Sequence, residues 1–241
     1  KKLKENKNHL VFYNIGLLFS ELGRTRVALY YFNKCNEIKN NDYTNLHSLA
    51  LCHLKLKNLK KGFSLYEYRW KTNETIEMKF QQINSPKSLY EIKDKKILIW
   101  DEQGLGDTML FSRFVKDLLK YTKKITFVVN SKLFEILSGL DKDIIVTNYE
   151  NIDPMDFDYQ IPLCSIPKHL NIKNIEDINF YNLQIKTALE NKIYLDNKKL
   201  NIGIAWSGNK KYFLDSYRSI PFKYIKNILN FKNINFFKLS Q

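Results

Sequence analysis

A glycine-containing loop in the middle of the chain carries two carboxylates. It follows residues 96–100, a short apolar run that predicts a buried strand, and it contains Gly104 and Gly106. Glycines let a backbone turn sharply and let a ligand come close to it. Asp107 follows the second glycine and Glu102 precedes the first, and a carboxylate beside such a loop can act as a general base. The structural alternative for Asp107 is an acid that caps the next helix or stabilises its first turn.

A second loop, near the end of the sequence, offers groups that bind phosphate. It follows the predicted strand 200–206 and begins with Ser207, Gly208 and Asn209. Their hydroxyl, amide and backbone N–H groups are the kinds of donor that suit a diphosphate. Arg218 lies farther along the chain and can add a charge-assisted hydrogen bond. We therefore take these four residues as candidate phosphate ligands.

Strands that alternate with helices connect the two loops. Such alternation predicts parallel pairing and an α/β fold, and ligands of open α/β sheets collect at the carboxyl ends of the strands. Both loops therefore stand where a ligand is expected. In the helix that follows Thr108, Leu110 falls on the predicted apolar face and Asp117 on the polar face. The predicted strands are 96–100, 125–129, 144–146, 159–162, 200–206 and 234–239, and the other predicted helices are 132–140, 179–190 and 221–229.

The first part of the chain repeats with a spacing of 34 residues, the length of a tetratricopeptide (TPR) unit. The residues that match at this spacing are Phe12 and Leu46, Gly16 and Ala50, Ala28 and Gly62, and Phe32 and Tyr66. The small residues let neighbouring helices approach each other, and the aromatic residues fill the remaining space. Gly23 lies at the turn inside the first unit, where a left-handed conformation costs glycine little, and Lys57 stands at the matching position. We predict TPR-like helical hairpins.

The change of period divides the chain into four parts. Residues 1–72 are the helical repeats, and the polar segment 73–95, with an Asn-Ser-Pro turn signal, is a linker. Residues 96–195 form a first α/β domain, and 196–241 begin a second one. Because the sequence starts at Lys1 and stops at Gln241 inside an apparent strand, we expect a fragment that is cut at both ends.

The amino-acid composition limits the classes of partner and ligand that the protein is expected to bind. The net charge is +14, but arginine occurs only at positions 24, 26, 69, 113 and 218, and lysine is spread along the chain. This distribution indicates biased composition and disfavours a nucleic-acid partner. The three cysteines form no C-x-x-C pair and the four histidines have no metal-ligand spacing, so we expect no disulfide and no metal site. No apolar run is long enough for a transmembrane helix, and we expect a cytoplasmic protein.

Three separated motifs carry a family resemblance. Residues 66–70 read YEYRW, residues 100–108 read WDEQGLGDT, and residues 202–209 read IGIAWSGN, with RSIP at 218–221. In this order they resemble bacterial TPR-linked glycosyltransferases related to the ADP-heptose:LPS heptosyltransferase family, over residues 10–241. The resemblance implies a GT-B fold, in which a Rossmann-like acceptor-side domain (96–195) is followed by the beginning of a Rossmann-like donor-side domain (196–241).

The resemblance also implies an activity. A sugar would move from a nucleotide-diphosphate donor to an acceptor hydroxyl without a metal or a cofactor. Asp107 matches the family's candidate base and would lie at the rim of a gap, opposite the Ser207, Gly208 and Asn209 turn that faces the donor phosphates. The acceptor would be a glycan, a lipid-linked or a protein molecule. The family's later glycine-rich donor segment is missing, so we expect the fragment alone to be inactive.

A different class of function is also compatible with the sequence. TPR arrays often bind peptides, so the helices could recruit a protein partner while the α/β part serves as a degenerate, non-catalytic scaffold. The sugar, the acceptor and the oligomeric state are left open. Heptose from an ADP carrier is the best-known donor of the family, but nothing in the sequence selects it.

Overall fold

The computed structural model of the chain describes residues 2–72, 77–181, 195, 198–208, 210 and 215–239. The chain divides into two compact units, Lys1–Thr187 and Ala188–Gln241. The first unit has an all-helical N-terminal part and a small parallel sheet, so the coarse α/β prediction is confirmed. Within the described ranges, no helix combines the length and the apolar character that crossing a membrane requires.

The N-terminal part consists of four helices. They are α1 (Lys2–Glu21), α2 (Thr25–Ile38), α3 (Tyr43–Lys55) and α4 (Leu59–Tyr66), and a 3-10 helix follows over Glu67–Lys71. Each helix packs against the next. Gly23, between α1 and α2, has a φ of 72°, and Lys57, between α3 and α4, has a φ of 63°. The 34-residue spacing therefore reproduces the same left-handed turn, which Lys57 adopts although the conformation favours glycine.

Close contacts between helices explain the small residues of the repeat. A Cβ atom at Gly62 would lie 2.6 Å from Cδ2 of Leu54, and one at Gly16 would lie 2.6 Å from the ring of Phe32. Cβ atoms do not approach other atoms this closely, so the helices could not pack in this way with a larger residue at either position. The two alanines that match these glycines are fully buried.

Gly62→Ala is expected to lower the free energy of unfolding by about 1–2 kcal/mol, because overpacking outweighs the gain in helix propensity. Gly106→Ala is the matched control, since Gly106 also lies in a helix but no described atom is within 4 Å of its would-be Cβ. The control should leave the free energy unchanged or raise it. Urea unfolding of both variants tests this, and a Gly62→Ala chain as stable as the parent would contradict the close packing.

The sheet of the first unit has four parallel strands. They are β1 (Ile97–Trp100), β2 (Ile125–Val128), β3 (Ile144–Thr147) and β4 (Tyr159–Pro162), and their order is β3-β2-β1-β4. The predicted strands are confirmed, with ends that differ by at most one residue. β1 pairs with β2 on one side and with β4 on the other. The order of the strands therefore changes direction between β1 and β4, where open α/β sheets form a crevice for ligands.

The segment after β1 differs from the predicted amphipathic helix. Only α5 (Leu105–Phe111) is α-helical, and 3-10 turns follow at Ser112–Phe114 and Lys116–Lys120. A 3-10 turn has three residues instead of 3.6, so side chains move away from the faces that an α-helical period predicts. Asp117, which lies in the second of these turns and is expected on the polar face, is only 3% exposed. Leu110, expected on the apolar face, is 51% exposed, but it lies within α5, so the 3-10 turns do not account for its position.

Asp117 is buried because other polar groups surround its carboxylate. It accepts a hydrogen bond from Nδ2 of Asn179 and another, of 2.9 Å, from the hydroxyl of Tyr181. It also forms an ion pair with Lys120, with an N···O distance of 3.2 Å. The prediction of a helix over 179–190 is wrong for residues 179–181, which are not helical. Residues 182–190 lie outside the described part of the chain. Two further helices of this unit are α6 (Ser131–Leu137) and α7 (Ile166–His169).

The predicted linker contributes to the core. Of its described residues, Phe80 and Ile83 pack with Leu98, Trp100 and Val128 on one face of the sheet. Its Leu89 and Ile92 pack with Ile97 and Ile99 on the opposite face, together with Leu59 and Phe63 from α4. The apolar residues of this segment follow neither a helical nor a strand period, because they lie on successive turns. The polar composition of this segment therefore predicts a linker, although its apolar residues connect the helices to the sheet.

The second unit contains a pair of parallel strands, β5 (Leu200–Ile204) and β6 (Ile234–Lys238). Between them lie α8 (Asp215–Arg218), α9 (Phe222–Ile225) and a 3-10 turn at Ile228–Asn230. The predicted strand 200–206 ends two residues early, and the predicted helix 221–229 is interrupted after Ile225. The two loops singled out by their chemistry thus follow β1 and β5.

Candidate functional site

Asp107 lies in the first turn of α5, at the carboxyl end of β1. Gly104 is the N-cap of this helix, with φ −70° and ψ 165°, and its carbonyl oxygen accepts the hydroxyl of Thr108 at 3.2 Å. These are angles that any residue adopts, and Gly106 does not have a positive φ either. The turn from strand to helix therefore does not require glycine at either position. What they provide is free space beside the half-buried Asp107.

The carboxylate of Glu102 is fully buried and paired. Its Oε2 accepts Nε of Arg69 at 2.6 Å, and its Oε1 accepts Nη2 of Arg69 at 2.9 Å. Oε1 also accepts the backbone N–H of Cys164 at 2.8 Å. Burial raises the pKa of Glu102, while the guanidinium and this N–H oppose the rise. A carboxylate with no exposed surface is poorly placed to meet a substrate, so the geometry favours Asp107 as the candidate base.

Arg69 is itself fully buried, and all five of its N–H donors are used. Besides the two bonds to the Glu102 carboxylate, they go to the main-chain oxygen of Tyr66 at 3.1 Å, Oε1 of Glu67 at 2.8 Å and Oγ of Ser165 at 2.7 Å. The guanidinium carbon lies 4.8 Å and 4.4 Å from the ring centres of Tyr66 and Trp70. Burial lowers the pKa of Arg69, but the two glutamates outweigh it and raise the pKa.

The pair of Arg69 and Glu102 lies across the change in strand order. Glu102 follows β1, and the Cys164–Ser165 segment that both side chains contact follows β4. This is the position where open α/β sheets bind ligands, and here Arg69 from the helical part bonds to residues on both sides of it. Sequence reasoning missed this role of Arg69. The signal that could have found it is an arginine among aromatic residues at the end of the repeats.

A second polar cluster ties together the ends of the first three strands. The buried carboxylate of Asp101 accepts the backbone N–H of Asn130, after β2, at 2.8 Å, and the hydroxyl of Tyr149, after β3, also donates to it. Lys79 donates to the Tyr149 hydroxyl at 2.8 Å and lies 4.0 Å from the centre of its ring. Burial and the neighbouring Asp101 both raise the pKa of Tyr149. These contacts link the carboxyl ends of β1, β2 and β3 at the residue that precedes the loop with Glu102 and Asp107.

The loop after β5 is held by its own hydrogen bonds. The backbone N–H of Gly208 donates to Oγ of Ser219 at 3.0 Å, and this hydroxyl donates to Oδ1 of Asp215 at 2.7 Å. Nε of Arg218 donates to the same oxygen at 3.2 Å. The bond from Ser219, followed by the charge of Arg218, lowers the pKa of Asp215. The structure therefore brings Ser207, Gly208 and Arg218 into one small region.

The guanidinium of Arg218 lies directly beside Gly208. A Cβ atom at Gly208 would be 2.6 Å from Nη2 of Arg218. An anion beside the Gly208 backbone would therefore be within reach of a cation. Asn209, the remaining candidate of this loop, lies outside the described residues.

The candidate residues divide between the two units. Asp107 and Glu102 belong to the first unit, and Ser207, Gly208 and Arg218 belong to the second. In the part of the chain that the structure describes, no three His, Cys, Asp or Glu side chains are grouped as metal ligands would be. Comparison of the sequence with known protein families finds no matching family model, and comparison with curated proteins finds no significant match. The family resemblance of the three motifs accordingly stays a prediction.

Proposed function

We propose that the chain is part of a GT-B glycosyltransferase, in which TPR-like hairpins precede two Rossmann-like units. The observation that carries the proposal is the position of Asp107. This half-buried carboxylate stands in the first turn of a helix at the carboxyl end of β1, beside two glycines that leave space for a substrate. The strand order β3-β2-β1-β4 supports a Rossmann-like unit, since such sheets begin with this order.

Asp107 would act as the general base. An acceptor hydroxyl must lose its proton as its oxygen attacks the anomeric carbon of the donor sugar, and a nearby carboxylate can take that proton. Glu102 contributes to the same loop, but its two oxygens are already occupied by Arg69 and Cys164. Its role is therefore to hold the loop.

The second unit would bind the leaving nucleoside diphosphate. As the glycosidic bond to the donor breaks, negative charge grows on the diphosphate, and hydroxyls, N–H groups and basic side chains stabilise it without a metal. Ser207 supplies a hydroxyl, Asn209 an amide, and Arg218 the charge. The backbone N–H of Gly208 donates to Ser219, so it would have to exchange that bond for one to the phosphate. Arg218 is paired with Asp215, so a phosphate would share its guanidinium with that carboxylate.

The helical part supports a second candidate function, a protein-binding module with a non-catalytic α/β part. Leu10, Val11 and Leu18 of α1, and Leu22 directly after it, are apolar side chains that are each at least half exposed. Exposed apolar side chains of this kind are typical of an interaction surface. In this alternative the Asp107 loop has no reaction to catalyse.

Nucleotide binding distinguishes the two candidates. We expect at least one of UDP, GDP and ADP to bind the full-length protein in calorimetric titrations, and Arg218→Gln to weaken that binding about 10–100-fold, the value of a charge-assisted hydrogen bond. Lys223→Gln is the matched control, because Lys223 is an exposed cation of the same unit, and it should leave the affinity nearly unchanged. Failure of all three nucleotides to bind would contradict the proposal and favour the binding module.

A further inference from the structure

We infer that Arg69 is a positioning residue for the loop that carries Asp107, an inference that rests on the proposed role of Asp107 as the base. Arg69 belongs to the 3-10 helix at the end of the helical part, and it holds Glu102 by two parallel hydrogen bonds. The helical part is then a component of the catalytic unit. It is not an appended module that merely recruits a partner.

Two successive residues of the loop are fixed from the helical side. Arg69 holds the side chain of Glu102, and the hydroxyl of Tyr66, at the end of α4, accepts Nε2 of Gln103 at 2.6 Å. Burial raises the pKa of Tyr66 to about 12, so its hydroxyl keeps its proton at neutral pH. Both anchors precede Gly104 directly, so they fix the point from which α5 starts.

The start of α5 in turn sets the position of the carboxylate. The carbonyl oxygen of Gly104 accepts the backbone N–H of Thr108 at 3.0 Å as well as its hydroxyl. Oδ2 of Asp107 lies 3.5 Å from the point that a Cβ of Gly104 would occupy. A shift of the Glu102 and Gln103 backbone would therefore move Asp107 with it. Misplacing a reacting group by about 1 Å can cost about 10²-fold in rate.

The chemistry of the pair suits positioning. An apolar pair of the same volume would serve stability equally well, whereas a guanidinium that donates two parallel bonds also fixes the orientation of the carboxylate. Lysine keeps the charge but has no fork of donors. Arg69→Lys therefore removes the two parallel bonds that orient the Glu102 carboxylate, while it leaves a positive charge beside that carboxylate.

Amide hydrogen exchange and kinetics of the full-length protein test the inference together. In Arg69→Lys we expect two hydrogen-bonded amides to exchange about tenfold faster or more, as expected for the loss of a charge-assisted hydrogen bond. They are the amide of Thr108, which donates to the Gly104 carbonyl oxygen, and that of Cys164, which donates to Glu102. We expect kcat to fall by about 10²-fold while KM for the donor stays nearly constant. Asp117→Asn is the control, since it also disturbs a buried carboxylate of the same unit but contacts no residue of the loop.

The inference is overturned if these two amides exchange at the parent rate in Arg69→Lys, or equally fast in Asp117→Asn. Glu102→Gln is the second variant should the lysine chain fail to fold, because it keeps the shape and weakens the same two bonds, and it should accelerate the same amides. An inactive parent enzyme with the expected exchange pattern would reject the proposed function and leave the positioning role standing. If exchange in Arg69→Lys were normal while kcat still depended on Asp107, the positioning role would be rejected and the proposed function would stand.

Discussion

Asp107→Asn is expected to lower turnover by about 10²–10⁴-fold, the usual contribution of a general base. Asparagine has nearly the same shape as aspartate, so α5 and its N-cap should persist while the proton acceptor is lost. Affinity for the nucleotide should stay nearly constant, because the proposed phosphate ligands belong to a different unit from Asp107. Release of nucleoside diphosphate from a panel of nucleotide sugars, with kcat and KM measured separately, provides the readout.

Two further variants make this result specific. Asp156→Asn removes an exposed carboxylate elsewhere in the same unit and should leave kcat unchanged. Glu102→Gln should reduce kcat through the loop and should also reduce stability, because it weakens a buried pair. Turnover within a few-fold of the parent in Asp107→Asn would remove Asp107 from its role. If Glu102→Gln alone were damaging and the fold were intact, the base would be Glu102.

The sheet could be predicted from the sequence because each strand is a short, separate apolar run. Strand 159–162 was predicted with both ends correct, and the other three strands of this sheet have ends within one residue. Buried parallel strands are apolar on both faces, so a continuous apolar run is their natural signal. The repeat was equally readable, because glycines at 16 and 62 are required by side chains less than 3 Å away from where a Cβ would be.

The features that the sequence did not predict, the burial of Asp117 and the environment of the candidate site, depend on contacts between residues that are distant in sequence. The burial of Asp117 follows from partners more than sixty residues away, at Asn179 and Tyr181. The bond between Arg69 and Glu102 spans 33 residues, and that between Arg69 and Ser165 spans 96. No local period or propensity encodes such pairs. For this reason the sequence predicts Asp107 as the base and Glu102 as a second candidate, but it does not show that the Asp107 carboxylate is half-buried while that of Glu102 is fully enclosed.

Arg69→Met is expected to lower the free energy of unfolding by about 3–5 kcal/mol, because removing one partner of a buried ion pair leaves an uncompensated charge. Methionine fills much of the same volume, so the loss of the cation causes most of the effect. The total stability of a domain is only about 5–15 kcal/mol, so this loss is large. Unfolding by urea at neutral pH, followed by circular dichroism, measures it. Lys34→Gln, which breaks an exposed pair with Glu37, should leave the free energy nearly unchanged.

A double-mutant cycle separates the charge effect from packing. Glu102→Gln removes the buried negative charge, so Arg69→Met should cost much less in that background than in the parent. Additive losses would mean that Arg69 stabilises the fold by packing on Tyr66 and Trp70, independently of Glu102. A strong coupling would mean that the ion pair itself stabilises the junction between the helical part and the sheet, at the crevice between β1 and β4. Because the cycle measures the bond itself, its outcome bears on how the loop is held whether or not Asp107 proves to be a base.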